Sequence, residues 1–147
     1  MSDFSMFLAQ NKIKHEDVKY VASNNFVDKK GNGVEWILRG ISSAKDDAIR
    51  KSCTKQVQVK VAGRTNSNQY RAELDTSAYM SKLVTATVVF PDLHNKELQD
   101  SYGVMGAEDL LLAMLSPGEY ADLANKVTEV NGFETGDINS LVDDAKN

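Results

Sequence analysis

The side chains able to do covalent or metal chemistry are few and scattered. Cys53 is the only cysteine of the chain, and His15 and His94 are its only histidines. A thiol becomes a nucleophile through a neighbouring base or cation, and neither histidine stands in a motif that would bring it to Cys53. Cys53 therefore reads as a small buried apolar residue. A lone cysteine forms no intramolecular disulfide, which agrees with a reducing compartment. Metal sites require clustered His and Cys at short spacing, and the sequence has none. Acidic pairs occur at Asp46-Asp47, Glu108-Asp109 and Asp143-Asp144. Each lies near an expected helix end, where charge answers the helix dipole, rather than in an acid–base arrangement. Nothing here predicts an enzyme or a cofactor.

Binding chemistry is equally bare of ready-made motifs. Asp28-Lys29-Lys30-Gly31-Asn32-Gly33 is rich in glycine but feeds no helix and lacks the Lys-Ser/Thr of a phosphate cradle, so it reads as a hairpin turn. Lys55, Lys60, Arg64 and Arg71 with Tyr70 form a thin basic strand face. A nucleic-acid binder concentrates more charge than this, and the whole chain has a net charge of −4 and a pI near 5.2. The charge is uneven: 13 Lys and Arg against 9 Asp and Glu through Asp75, and 4 against 12 from Thr76 onward. Such asymmetry permits head-to-tail self-association or a basic partner for the acidic half, and equally describes two separately solvated surfaces.

The elements that hold these residues follow from composition and periodicity. With 147 residues, 41% hydrophobic and 26% charged, the chain predicts one globular domain over 1–147, a mixed α/β part over 1–75 and a helical part over 76–147. No apolar run approaches the ~20 residues of a membrane span, and no basic-then-apolar leader follows Met1, so a cytoplasmic protein is expected. Phe4, Met6, Phe7 and Leu8 predict a short helix that must be buried, on its own domain or on another subunit. Val18–Ala22 and Val34–Ile41 alternate as strands around the glycine turn. Ser42 or Ser43 caps a helix from Ala44 to about Cys53, with Ala44, Ala48, Ile49 and Cys53 inward. Thr54–Ala62 is the strongest strand pattern, and Gly63–Asn68 a polar turn before a return strand over Gln69–Leu74. These strands predict one small antiparallel sheet with an intervening helix.

Asp75 caps the next element, which reads either as helix, with Tyr79, Leu83 and Ala86 on one face, or as strand through the β-branched run Val84–Val89. Pro91 ends it either way. A short helix over Asn95–Tyr102 closes at Gly103. The clearest stretch is Leu110–Phe133: Ser116-Pro117-Gly118-Glu119 is a capping box with Pro at the first helical position, starting a helix that faces the run Leu110, Leu111, Met114, Leu115. Tyr120, Leu123, Ala124, Val127 and Val130 line its inner face, and Gly132 closes it. Thr135 or Asp137 caps a last helix carrying Ile138, Leu141, Val142 and Ala145. The fold class is α+β, with a helical bundle in the C-terminal half.

Phe90-Pro91-Asp92-Leu93, Glu97-Leu98-Gln99-Asp100-Ser101-Tyr102-Gly103-Val104, Met114-Leu115, Gly118-Glu119-Tyr120-x-x-Leu123, Asn131-Gly132-Phe133 and Ala145-Lys146-Asn147 occur in an order that resembles the XkdN-like phage tail assembly chaperones. Trp36-x-x-Arg39 and Arg50-x-x-Cys53-Thr54 are similar to that family's first half. The resemblance implies a non-enzymatic bacteriophage or prophage protein of the host cytoplasm, absent from the mature virion. It implies binding of the tape-measure protein, which it would keep soluble, and recruitment of tail-tube subunits. Met105, Leu111, Met114, Leu115 and Tyr120 are the candidate groove for such a partner, with Met6 and Phe7 a second surface. Family members often make a longer product by ribosomal frameshifting, and codons GCA-AAA-AAC for Ala145-Lys146-Asn147 would hold the slippery A-AAA-AAC. A structural tail component, or a small binding or regulatory protein, remains the alternative. Neither nucleic acid nor membrane is an expected partner.

Overall fold

The computed structural model describes residues 3–61 and 63–133. Strands β1 (Val18–Tyr20) and β2 (Trp36–Leu38) pair antiparallel, with Val18 opposite Leu38. The loop between them tightens at Asp28, whose carboxylate accepts from Lys30 N–H and Asn32 N–H at 2.8 and 3.0 Å, while Gly31 takes the left-handed conformation at φ 83°. The expected hairpin is present, with shorter strands.

Helix α1 (Ser43–Ser52) is capped by Ser42, whose hydroxyl accepts from Lys45 N–H at 3.1 Å. The expectation that Ala44 and Ala48 face inward is corrected: both are exposed. The inner side carries Asp46, Ile49 and Arg50 instead, because Asp46 and Arg50 pair with each other at 2.8 Å and both bond to Tyr79 on the next helix. Tyr79 donates its hydroxyl proton to Asp46, Arg50 donates to the Tyr79 oxygen at 3.2 Å, and the guanidinium lies 4.6 Å from the ring centroid. Ile49 and Cys53 do turn inward.

Strands β3 (Thr54–Val61) and β4 (Arg64–Leu74) form a long hairpin of their own. Gly63, at φ 79°, sits in the tight turn, so the expected polar turn over 63–68 is mostly strand. Its register shifts between Gln58, opposite Tyr70, and Val59, opposite Asn66, which absorbs the polar residues as a bulge. The strands therefore build two sheets, not the single sheet expected.

Helix α2 (Thr76–Thr87), capped by Asp75, runs directly into strand β5 (Val88–Phe90), which resolves the helix-or-strand alternative into both. Its buried face is Tyr79, Leu83, Val84 and Thr87, with Ala86 half-buried. β5 pairs antiparallel with β2 to give the order β1-β2-β5, so the C-terminal part supplies an edge strand to the N-terminal sheet. Helices α3 (Lys96–Ser101), α4 (Ala107–Met114) and α5 (Pro117–Val130) follow. α2 packs against α1, α4 and α5, and one hydrophobic cluster joins Trp36 and Leu38 of the sheet to Leu83, Leu110, Leu111, Leu123 and Val127. The last helix expected after Thr135 lies outside the described residues.

The N-terminal segment forms two short 3-10 helices, Asp3–Phe7 and Ala9–Asn11, with no buried residue. Asn11 closes the segment on itself by donating to Ser5 C=O at 2.7 Å. Of the two burial sites expected for it, its own domain is not used.

Candidate partner-binding surface

Among the described residues neither histidine hydrogen-bonds to Cys53. Cys53 is buried at 6% exposure, and its sulfur has a weak contact of 3.7 Å with the Ser52 hydroxyl; His15 and His94 are exposed. Among the described residues no group of three or more His, Cys, Asp or Glu could hold a metal, and no helix is long and apolar enough to cross a membrane. Among the described residues the most strongly perturbed group is the Tyr79 phenol, pushed up to about 12 by burial and by its bond to Asp46, with Arg50 opposing. It ties α1 to α2 and is shut away from solvent.

The apolar candidates divide sharply. Leu111 at 0% and Leu115 at 7% exposure belong to the core, which corrects their assignment to an open groove. They lie four apart on one side of α4 and its C-terminal cap, the side closed by neighbouring helices. Met114 and Tyr120 are half-buried against the same core. Met105, at 90% exposure, stands clear, as do Met6 at 67% and Phe7 at 84%. Leu112, at 60%, was hidden in the run Leu110–Leu115; its displacement from the inward stripe at 110, 111, 114 and 115 is the signal that separates it.

Met105 projects from a fixed loop. Gln99 donates to Leu93 C=O at 2.8 Å and accepts from Gly106 N–H at 3.1 Å, so one amide staples both ends of the turn. Gly106, at φ 108°, then starts α4 without a side-chain cap. Half-buried Val104 anchors the loop from below, and half-exposed Tyr102 precedes it. Residues 102–112 thus present Tyr102, Met105 and Leu112 to solvent from a braced frame.

Several residues that carry the family resemblance hold the fold together rather than line this surface. Trp36 and Leu93 are core, Arg39 forms a two-pronged pair with Asp17 at 2.8 Å on each arm, and Thr54 donates to Arg50 C=O at 2.7 Å. Such a set marks a shared fold more than a shared binding face. The family model for phage XkdN-like tail assembly chaperone protein (TAC) matches residues 4–146.

The chain belongs to the phage XkdN-like tail assembly chaperone family.

Its similarity to family relatives covers nearly the whole chain. It is 34% identical over 146 residues to the phage-like element PBSX protein XkdN of Bacillus subtilis (strain 168), covering 99% of this chain and 94% of that protein. Identity to the uncharacterized protein YqbN of the same strain is also 34% over 146 residues, covering 99% and 93%. The crystal structure of YqbN superimposes with a TM-score of 0.73 at 30% identity, covering 91% of this chain and 99% of that one. This tail assembly chaperone thus shares its α+β fold with a solved relative.

Proposed function

We propose that this tail assembly chaperone binds the tape-measure protein of its phage in the host cytoplasm and keeps it soluble until the tail tube encloses it. The observation that carries the reading is the exposure of Met105 and Leu112 on a braced loop and helix. A tape measure is a long, largely helical chain whose apolar stripes aggregate when bare, and an exposed apolar strip is the matching surface for such a helix. An unbranched methionine adapts to successive stripes of differing shape, which suits a client presenting many similar turns. Tail-tube subunits are the second proposed partner. No covalent chemistry is involved, and the protein leaves before the virion is complete.

The test is copurification of the tagged chain with the tape-measure protein, for wild type and for a Met105→Ser, Leu112→Ser double variant of unchanged circular dichroism. Loss of two exposed apolar contacts should weaken binding roughly tenfold or more. Full binding by the folded double variant would remove this surface from the account, and no binding by wild type would remove the client.

A further inference from the structure

We propose that this protein is a dimer in which the N-terminal 3-10 helix of each copy plugs a hollow on the outer face of the other copy's three-stranded sheet.

The plug is Asp3–Phe7. A 3-10 helix has three residues per turn, so Phe4 and Phe7 stand on one edge. They are 62% and 84% exposed, with Met6 at 67% beside them and Leu8 at 37% after them. The segment's side-chain bond runs within itself, from Asn11 to Ser5, so it is shaped but not docked. Residues 12–17 then lead to β1 without helix or strand, a stem that can reach up to ~20 Å.

The hollow holds about 370 Å³ and is floored by Val34, Ile37 and Phe90, with Val21 against Gly33 at its border. Phe90 is 48% exposed and Val21 40%. An apolar cavity of roughly 150 Å³ takes one benzene-sized ring, so this hollow has room for the two rings of Phe4 and Phe7. Its rim carries Asp28, Glu35 and Lys19; the stem carries Lys12 and Lys14 next to the plug and Glu16 and Asp17 nearer β1, where Asp17 is paired with Arg39. The two lysines nearest the plug therefore complement the two acids of the rim.

Area selects reciprocal exchange. The rings of Phe4 and Phe7, the two that the hollow holds, offer roughly 300 Å², and about as much again is covered on the hollow, near 600 Å² per plug. One such contact lies well below the ~1,200 Å² at which stable interfaces begin, whereas two reach it. A two-fold dimer uses both plugs and both hollows and leaves neither exposed, unlike an open chain of copies. This surface is separate from Met105 and Leu112, so the inference stands independently of tape-measure binding.

The experiment is sedimentation velocity on the purified full chain alone, at tens of micromolar. Wild type should sediment at twice the 16.2 kDa of one chain. A Phe4→Ser, Phe7→Ser variant and a Phe90→Ser variant should each run as monomers, and so should their equimolar mixture at this concentration, since it keeps only one plug in one hollow. Should Phe90→Ser fail to fold, Val34→Arg fills the hollow from a position outside the strands. A monomeric wild type, or an unchanged dimer in the plug variant or in the folded hollow variant, would each overturn the proposal.

Discussion

Ile41 donates its backbone N–H to the side-chain oxygen of Asn131 at 2.8 Å, across 90 positions of sequence. The same Asn131 amide donates to the Thr87 hydroxyl at 3.0 Å and to Val127 C=O at 2.9 Å. One side chain thus ties the end of α5 to the exit of β2 and to the junction of α2 with β5. The approach is close enough that a β-carbon added to Gly40 would meet Val130 C=O at 3.2 Å.

Replacing Asn131 with Ala leaves the Ile41 N–H and the Thr87 hydroxyl each short of a partner in a half-buried site. The expected cost is about 1–3 kcal/mol, read as a lower urea midpoint with an unchanged slope. An unchanged midpoint would show that water replaces the amide freely.

The capping box of α5 predicts an acid response. Ser116 N–H donates to the Glu119 carboxylate at 2.9 Å, and with the Ser23 hydroxyl it holds Glu119 below its ordinary value of 4.5. A carboxylate whose folded value lies below its unfolded one stabilises the fold above the unfolded value and ceases to do so as pH falls through the folded one. Glu119→Gln keeps an acceptor for Ser116 but does not titrate. The stability advantage of wild type over this variant should be present at pH 7 and shrink below pH 4.5; an advantage independent of pH would contradict the assigned bond.

Leucines of one helix should part company under substitution. Leu111→Ala removes a fully buried side chain and is expected to cost about 2–5 kcal/mol, whereas Leu112→Ser, at an exposed position, should fall within about 0.5 kcal/mol of wild type. Thermal melts of both decide it; equal losses would contradict the packing of α4.

What the sequence revealed follows the range of the interactions. Asp75 and Ser116 cap the helices expected of them, as does Ser42 of the pair Ser42 and Ser43, while Asn95, read as the first helical residue, caps its helix; a cap is settled within four residues. Pairing of β5 with β2 was hidden because it depends on partners some fifty positions apart, and the β3–β4 hairpin looked like part of one sheet for the same reason. Asp46 reads as a helix-end charge because its inward role depends on Tyr79, on another helix, which joins its ion pair with Arg50. In Leu110–Leu115 the apolar run announced a packed helix but not which leucine faces out. That depends on where α2 and α5 lie, so Leu111 and Leu115 were placed with Met105 on a surface that only Met105 reaches.

The proposed role of this chain is to hold a tape measure in solution. The most direct measurement is the fraction of tape-measure protein remaining in the supernatant after high-speed centrifugation, when it is expressed with and without this chain from the same phage. The account predicts a large rise in the soluble fraction with wild type and a much smaller one with Met105→Ser, Leu112→Ser. A tape measure that pellets equally with and without the folded wild-type chain would contradict it.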